Sequence, residues 1–348
     1  RDGRAYEADQ RSFCRLQQDC LQQKGLTLQA GFELEWMVFA GDAGTQASPA
    51  FPGGPYGADR LVEGLDYASE ICEGLDSAGL DWLQFHPEYG ASQFELSLAH
   101  ASAVEAADRL VLARLVIQRV SRRLGLRCSF TPKLSSDQVG NGGHVHFSLR
   151  RHGQPVLQGG DGPGGVLPEG AALISGVLHH LPALLPIACP LSASYARLAP
   201  SSWSAPYQVW GIENREAALR LVPTSVDQVP AHLELKVADL GANPYLLLGS
   251  LQVLAMAALS EAVPLPEPVR GDPARVDGTT AAHARLPQSL AEGRTALASS
   301  AVLSAAMGEL LHGSVLDSID AEIARCEGLP PDQVIASTRW WPLVGGLS

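Results

Sequence analysis

The sequence predicts an α+β domain in which a sheet with one apolar and one charged face is flanked by helices. Three observations predict it. Four segments alternate like strands and carry acids or histidines two residues apart: GFELEWMVF at 31–39, QFELSL at 93–98, HVHFSL at 144–149 and HLELKV at 232–237. A strand puts residues i and i+2 on one face, roughly 6.6 Å apart. Glu33 and Glu35 then share a face, as do His144 and His146, and His232, Glu234 and Lys236, while Phe, Leu, Trp and Val alternate with them as core. Second, residues 101–125 are rich in Ala and Leu and stop at Gly125, which reads as a helix. Third, residues 243–260 open with Asn-Pro-Tyr and continue as an Ala/Leu run, a buried helix beginning near Pro244.

The remaining elements follow in order. Residues 6–24 are polar with spaced apolar positions and read as a helix. A Gly/Pro/Ala-rich loop is expected over 40–60, and a helix over 61–79, where Leu61, Leu65, Ala68, Ile71, Cys72 and Leu75 approach helical spacing. Residues 80–90 lead into the strand at 93–98. Strands are expected at 127–132 and 144–150, a Gly/Pro-rich surface excursion at 152–170, and a helix at 171–189 closed by prolines. Residues 195–230 read as loop with a strand near 216–222, 262–285 as Pro-rich loop, and 288–328 as helix. No repeat or linker divides the chain, so 1–24 reads as a lead-in helix and 25–348 as one unit.

Composition narrows the function. A 46% hydrophobic and 18% charged chain of 348 residues is globular and has length for a large core. Its net charge of −12 argues against nucleic acid and against an anionic membrane surface. The apolar run nearest a membrane span, Leu173 to Ala188, is interrupted by His179, His180, Pro182 and Pro186. The six cysteines form no C-x-x-C pair and read as reduced thiols in a cytoplasmic setting. On the charged face, crowded carboxylates cannot all stay ionised unless cations sit among them. Carboxylates with an added imidazole suit magnesium or manganese.

Five motifs in order resemble the catalytic domain of the glutamine synthetase family. They are Glu33-Leu-Glu35; His86-Pro-Glu88 with Gln93-Phe-Glu95; Phe130-Thr-Pro-Lys133 with the Gly140–Ser148 loop; Ser194-Tyr-Ala-Arg-Leu198 with Asn214-Arg215 and Arg220; and Glu234-Leu-Lys236, Asp239 and Ala242-Asn-Pro-Tyr-Leu246. The resemblance runs from about residue 25 to 260 and continues more weakly to the end. It implies a curved antiparallel sheet forming a half-barrel, ATP with two or three Mg2+ or Mn2+ ions, small-molecule substrates and a homo-oligomer of stacked rings. The family's small N-terminal β-grasp domain is expected to be missing from this chain.

Carried over by position, the resemblance gives Glu35, Glu88 and Glu95 to one metal and Glu33, His144 and Glu234 to a second. Arg215 and Arg220 resemble phosphate-facing arginines, with a structural salt bridge as the alternative, and Lys236 adds a charge beside them. Arg197 resembles the clamp on the amino-acid carboxylate, and Gly140 lets backbone approach that substrate. His146 and Ser148 face the nucleotide or serve as structural hydrogen-bond partners.

Three departures bear on the substrate. The family's P-G-x-E-A-P flap is here Pro200-Ser-Ser-Trp-Ser-Ala-Pro206, one residue longer and without Glu, so Trp203 or Ser204 takes the acid's place. Val139 stands where an Asn is expected, and His232 and Lys236 replace two arginines. The expected activity is an ATP-dependent carboxylate–amine ligase that joins the γ-carboxylate of glutamate to an organic amine through an acyl phosphate. Glutamine synthesis from ammonium, or a catalytically silent scaffold or sensor, are the alternatives.

Overall fold

The computed structural model describes residues 5–41, 48–225, 229–275 and 283–340. Its central element is β1 (Leu26–Ala40), along which Phe32, Leu34, Trp36 and Val38 enter the core while Glu33 and Glu35 turn to the opposite face. Around it lie β2 (Ser48–Pro49), β3 (Trp82–Pro87), β4 (Gln93–Leu98), β5 (Ala101–Ser102), β6 (Leu126–Ser129), β7 (Val145–Arg151), β8 (Gln154–Pro155), β9 (Trp210–Ile212), β10 (Leu219–Val222) and β11 (His232–Leu235). The path across this open sheet is β3-β4-β1-β7-β11-β10-β9.

The helices are α1 (Gln10–Gln23), α2 (Ala58–Glu63), α3 (Leu65–Ser77), α4 (Ala103–Arg123), α5 (Pro168–Ala188), α6 (Ser192–Arg197), α7 (Pro244–Ala258), α8 (Leu290–Ala298), α9 (Ala301–Cys326) and α10 (Pro331–Thr338). Helix α7 is buried along most of its length and meets α1, α4, α5 and α9. It starts where Asn243 accepts the backbone N–H groups of Tyr245 and Leu246, with Pro244 in the first turn. Trp36 anchors the core at the other end of the sheet. It is fully buried, lies 5.7 Å from Phe85 and 6.2 Å from both Phe94 and Phe130, and donates to Tyr67 Oη at 2.9 Å.

The structure departs from the sequence reading in several places, each with a local cause. The sheet is mixed, because β9 and β10 pair in parallel across only six residues. A connection that short cannot carry a helical crossover. Glu213, with φ of 51°, and Asn214, which accepts the N–H of Glu216, turn the chain instead. β3 was unexpected, since a register irregularity between Trp82 and Gln84 breaks its alternation. The helix expected over 61–79 is two helices divided at Gly64, where a Cβ would stand 3.1 Å from the Phe94 ring.

Helix α5 is not closed by its prolines but runs through Pro182 and Pro186. Pro182 leaves the Leu178 carbonyl without its helical donor, and Gln208 Nε2 donates to that oxygen at 2.8 Å. By length and composition α5 could cross a membrane, but most of it is buried inside the protein. The Pro-rich stretch before α8 falls partly outside the described residues.

Phe94→Ala is expected to lower the unfolding free energy by about 3–5 kcal/mol, because the ring is fully enclosed by other aromatics. A urea midpoint series checks this, and a loss below about 1 kcal/mol would contradict the packing described.

Candidate active site

Strand register builds the charged face. Glu35 lies opposite Glu95, and Glu95 lies opposite His86. His146 pairs with Gly31 on one side and Glu234 on the other, and Glu234 lies opposite Arg220. One row of polar side chains therefore crosses β3, β4, β1, β7, β11 and β10. Glu88 follows β3, and His144 sits just before β7 at the end of a glycine loop. That loop is fixed by Gln93, whose Nε2 lies 3.0 Å from Glu35 Oε2, 2.9 Å from Asn141 Oδ1 and 2.9 Å from the Gly140 carbonyl. Asn141 in turn donates to the carbonyls of Ser129 and Thr131.

The six expected ligands meet in three overlapping groups, each with candidate ligand atoms within 4.8 Å of one another. Glu33, His144 and Glu234 form one: His144 Nδ1 is 3.0 Å from Glu33 and 3.6 Å from Glu234. Glu35 and Glu95 meet with His144, whose Nε2 is 3.8 Å from Glu35. Glu88 falls with His86 and Glu95 instead of with Glu35; His86 Nε2 is 3.2 Å from Glu95 and Nδ1 is 3.7 Å from Glu88. His86 is thus a site residue that the ligand pattern missed, although H-P-E followed by Q-F-E put it in view.

The electrostatics are those of crowded carboxylates. Burial pushes Glu35 up to about 7, with the Glu88 carboxylate adding to it, and burial raises Glu95 to about 7 as well. Burial also opposes ionisation of Glu33, but the His144 and His146 imidazoles hold it well below the usual range. Glu234 is likewise buried, yet Lys236 and His144 draw it down to about 2. Glu95 raises His86 to about 9. Two of these carboxyls therefore favour protons when no cation is among them.

Divalent cations fit this set. The donors are hard carboxylate oxygens with the His144 and His86 imidazoles, and the backbone beside them has room for no side chain at Gly142. A Cβ on Gly142 would stand 2.3 Å from His144 Nε2 and 2.9 Å from Glu35 Oε1, and the Gly142 N–H donates to Glu35 Oε2 at 2.9 Å.

The expected phosphate-side residues differ in their engagement. Arg220 donates to Glu234 Oε2 at 3.1 Å and to Glu213, and Lys236 Nζ donates to Glu234 Oε1 at 3.0 Å. Arg215 is exposed, close enough to Tyr56 for its charge to act there. His146 Nε2 lies 2.9 Å from Glu33, and its ring is 5.0 Å from that of His232. His146 and Ser148 also line a cavity of about 250 Å³ together with Gln29, Gln84, Arg150 and Val229.

On the substrate side, Arg197 is buried and its Nη2 donates to the carbonyls of Val237 and Ala238, so half of the expected clamp holds backbone. Gly140 packs against it: a Cβ there would be 2.6 Å from Arg197 Cγ and 2.3 Å from the Pro132 carbonyl. Between the two candidates for the flap position, Ser204 is turned inward, accepting the Ala199 N–H at 3.0 Å and donating to its carbonyl at 2.9 Å. Trp203 reaches outward, 49% exposed, with its ring 5.3 Å from Tyr89, which is 6.1 Å from Tyr56. Tyr89 N–H donates to Glu88 Oε2 at 2.8 Å, tying this aromatic row to the acids. Neither tyrosine stands in a motif, so the sequence carried no signal for them. Glu216, whose Oε1 accepts the Trp203 N–H at 3.0 Å, lay unnoticed between Arg215 and Arg220.

Comparison with known proteins shows the family to which the chain is similar. Residues 7–335 match the family model described as glutamine synthetase, catalytic domain. A γ-glutamylpolyamine synthetase, GlnA3 of Streptomyces coelicolor, is 44% identical over 91% of this chain and 69% of its own length. The glutamine synthetase of Pyrococcus horikoshii is 30% identical over 76% of this chain and 58% of its own. Among solved structures, a glutamine synthase homologue superposes with a TM-score of 0.84 at 30% identity over 97% of this chain and 76% of the other. A GmaS complex with ADP gives 0.85 at 25% identity, over 97% of this chain and 78% of the other.

The pH response of the metal-free protein follows from the raised carboxyls. Glu35 and Glu95 bind protons in the folded state up to about 7 but in the unfolded state only near the ordinary carboxyl value of 4.5. Between those values the folded state holds more protons, so these groups add stability as pH falls. Chelator-treated protein should therefore show a rising thermal midpoint from about pH 8 to about pH 6. The extra stabilisation given by added Mg2+ should shrink over the same range, as protons compete for the ligands. Glu35→Gln should remove most of that Mg2+-dependent shift. Calorimetry with and without Mg2+ checks both statements.

Proposed function

The chain belongs to the glutamine synthetase family, and on that premise we propose that it is an ATP-dependent ligase coupling the γ-carboxylate of glutamate to an organic amine, of which a polyamine is the best fit. The observation that carries this reading is the flap. Residues 200–206 hold no acid, and Trp203 instead presents its ring to Tyr89, which in turn meets Tyr56. Ammonium gains little from such a lid, whereas the methylenes of an alkylamine gain contact area and its cationic head can lie over an aromatic face. The 44% identity to a γ-glutamylpolyamine synthetase supports the same choice.

In this reading Glu33, Glu35, Glu88, Glu95, His144 and Glu234 hold two or three Mg2+ or Mn2+ ions, with His86 beside Glu88 and Glu95. Bound there, the cations supply charge neutralisation for the transferring phosphoryl group. Arg215, exposed beside the aromatic row, brings an open guanidinium to the phosphoryl oxygens. Arg220 and Lys236 hold Glu234 in place, and Lys236 helps keep it ionised, which is a positioning role. Arg197 and Gly140 shape the amino-acid pocket, and the cavity lined by His146 and Ser148 takes the nucleotide. Exposed Leu61, Val62 and Leu65, with Val111, Leu112 and Leu115, support assembly into a homo-oligomer. Six free cysteines support work in the reducing cytoplasm.

Two measurements test the reading. A primary diamine that buries about 100 Å² of methylene surface gains about 2.5 kcal/mol, so its kcat/KM should exceed that of ammonium by about 70-fold. Amine-dependent ADP release measures this, and ammonium matching every amine would return the chain to glutamine synthesis. Arg215→Ala should cut turnover by about 100-fold or more while moving stability by less than about 0.5 kcal/mol. Full turnover in that variant would remove Arg215 from the reaction.

A further inference from the structure

The flap has no acid of its own, but two carboxylates reach it from other elements. Asp272 accepts the Ser201 hydroxyl at 2.6 Å through Oδ2 and the Ala274 N–H at 2.9 Å through Oδ1, so both of its oxygens are engaged. Glu216 is different. Its Oε1 accepts the Trp203 N–H at 3.0 Å, and among the described residues its Oε2 makes no hydrogen bond.

Glu216 is also held rigidly. Asn214 Oδ1 accepts the Glu216 N–H at 2.9 Å, while Asn214 Nδ2 donates to the carbonyls of Val269 and Gly271 at 2.8 and 2.9 Å. These bonds fix the backbone at Glu216, and its carboxylate is tied to the flap through Oε1. The aromatic row begins at Trp203, to whose N–H it is bonded, and Lys236, which bonds Glu234, is close enough to act on it. Partial burial raises its proton affinity above that of an ordinary carboxylate, and Asp272 adds to the shift. That direction suits a proton acceptor.

We infer that Glu216 takes the place of the missing flap acid, its free oxygen receiving the proton of the incoming organic ammonium while Oε1 keeps Trp203 and the lid in position. The inference rests on the amine-ligase reading. The proton passes from R–NH3+ to the Glu216 carboxylate, leaving the amine lone pair free. That pair forms the C–N bond at the carbonyl carbon of γ-glutamyl phosphate, which is made from ATP. The carbon–oxygen bond to phosphate then breaks, phosphate leaves with its electron pair, and it takes the surplus proton of the new amide nitrogen. Tyr56, Tyr89 and Trp203 flank the path, so the substrate class is a cationic head on an alkyl chain.

Glu216→Gln separates charge from tether, because the amide oxygen still accepts the Trp203 N–H. In the full-length protein, amine-dependent ADP release by the wild type first tests the ligase reading, and inertness toward every amine would end that reading and this inference with it. Given an active wild type, Glu216→Gln should lower kcat/KM for a primary diamine about 100-fold. KM for ATP and glutamate should stay unchanged. Hydroxylamine, which is largely neutral near neutral pH and needs neither counter-charge nor base, should still give γ-glutamyl hydroxamate at close to the wild-type rate. Glu216→Asp should recover part of the diamine activity. An unaltered diamine rate, or equal losses with diamine and hydroxylamine, would overturn the role of Glu216, the second by showing that it only props the flap.

Discussion

Carboxylate crowding is the constraint on which the rest of this structure depends. Glu33, Glu35, Glu95 and Glu234 project from adjoining strands onto one face, and the opposite face of the same strands forms the main core. Neither face can be moved without the other, because a one-residue slip of any strand would exchange them. The core therefore fixes the positions of the acids. The acids, held closer together than their charges favour, make a site whose free energy falls when cations or protons enter.

Holding like charges together requires rigid surroundings, and the structure supplies them with buried polar hubs. Gln93 and Asn141 stitch the Gly140–Gly142 loop to β1 and to the chain after β6. Arg60, only 1% exposed, points its guanidinium at the carbonyls of Glu88, Gln93, Gly53 and Gly54. It thereby fixes the turn that carries Glu88 through backbone carbonyls and, among the described residues, without a salt bridge. Such buried, hydrogen-bonded side chains specify geometry more than they add stability. Lys236 and Arg220 do the same for Glu234 through charge, and against the effect of burial Lys236 and His144 keep its proton affinity low.

The amine side is built differently. The flap adopts left-handed backbone at Ser201, Trp203 and Ala205, conformations that residues other than glycine rarely take. It keeps them because Ser204, Glu216 and Asp272 bond it from within and from two other elements. A lid so restrained has a fixed shape, and its outward feature is an aromatic face. On the proposed reading, substrate choice on this side depends on contact and on one external carboxylate, whereas the phosphoryl side depends on many charges.

The sequence by itself determined the two-faced strands, the α7 start at Asn243-Pro244 and the set of acids and histidines that line the site. These are local properties: period-two alternation, a capping residue, a motif. It could not determine which acids share a group, because Glu88 meets His86 and Glu95 only through the β3–β4 register, and β3 is obscured by its own irregularity. It could not show that α5 continues through Pro182, since the repair comes from Gln208, 26 residues further along the chain. It also could not distinguish Trp203 from Ser204, or single out Glu216, Tyr56 and Tyr89. Those choices depend on backbone turns and on contacts between distant segments. Only tertiary structure brings such segments together, because the free energy that orients them comes from the packing of the whole core and not from their own residues.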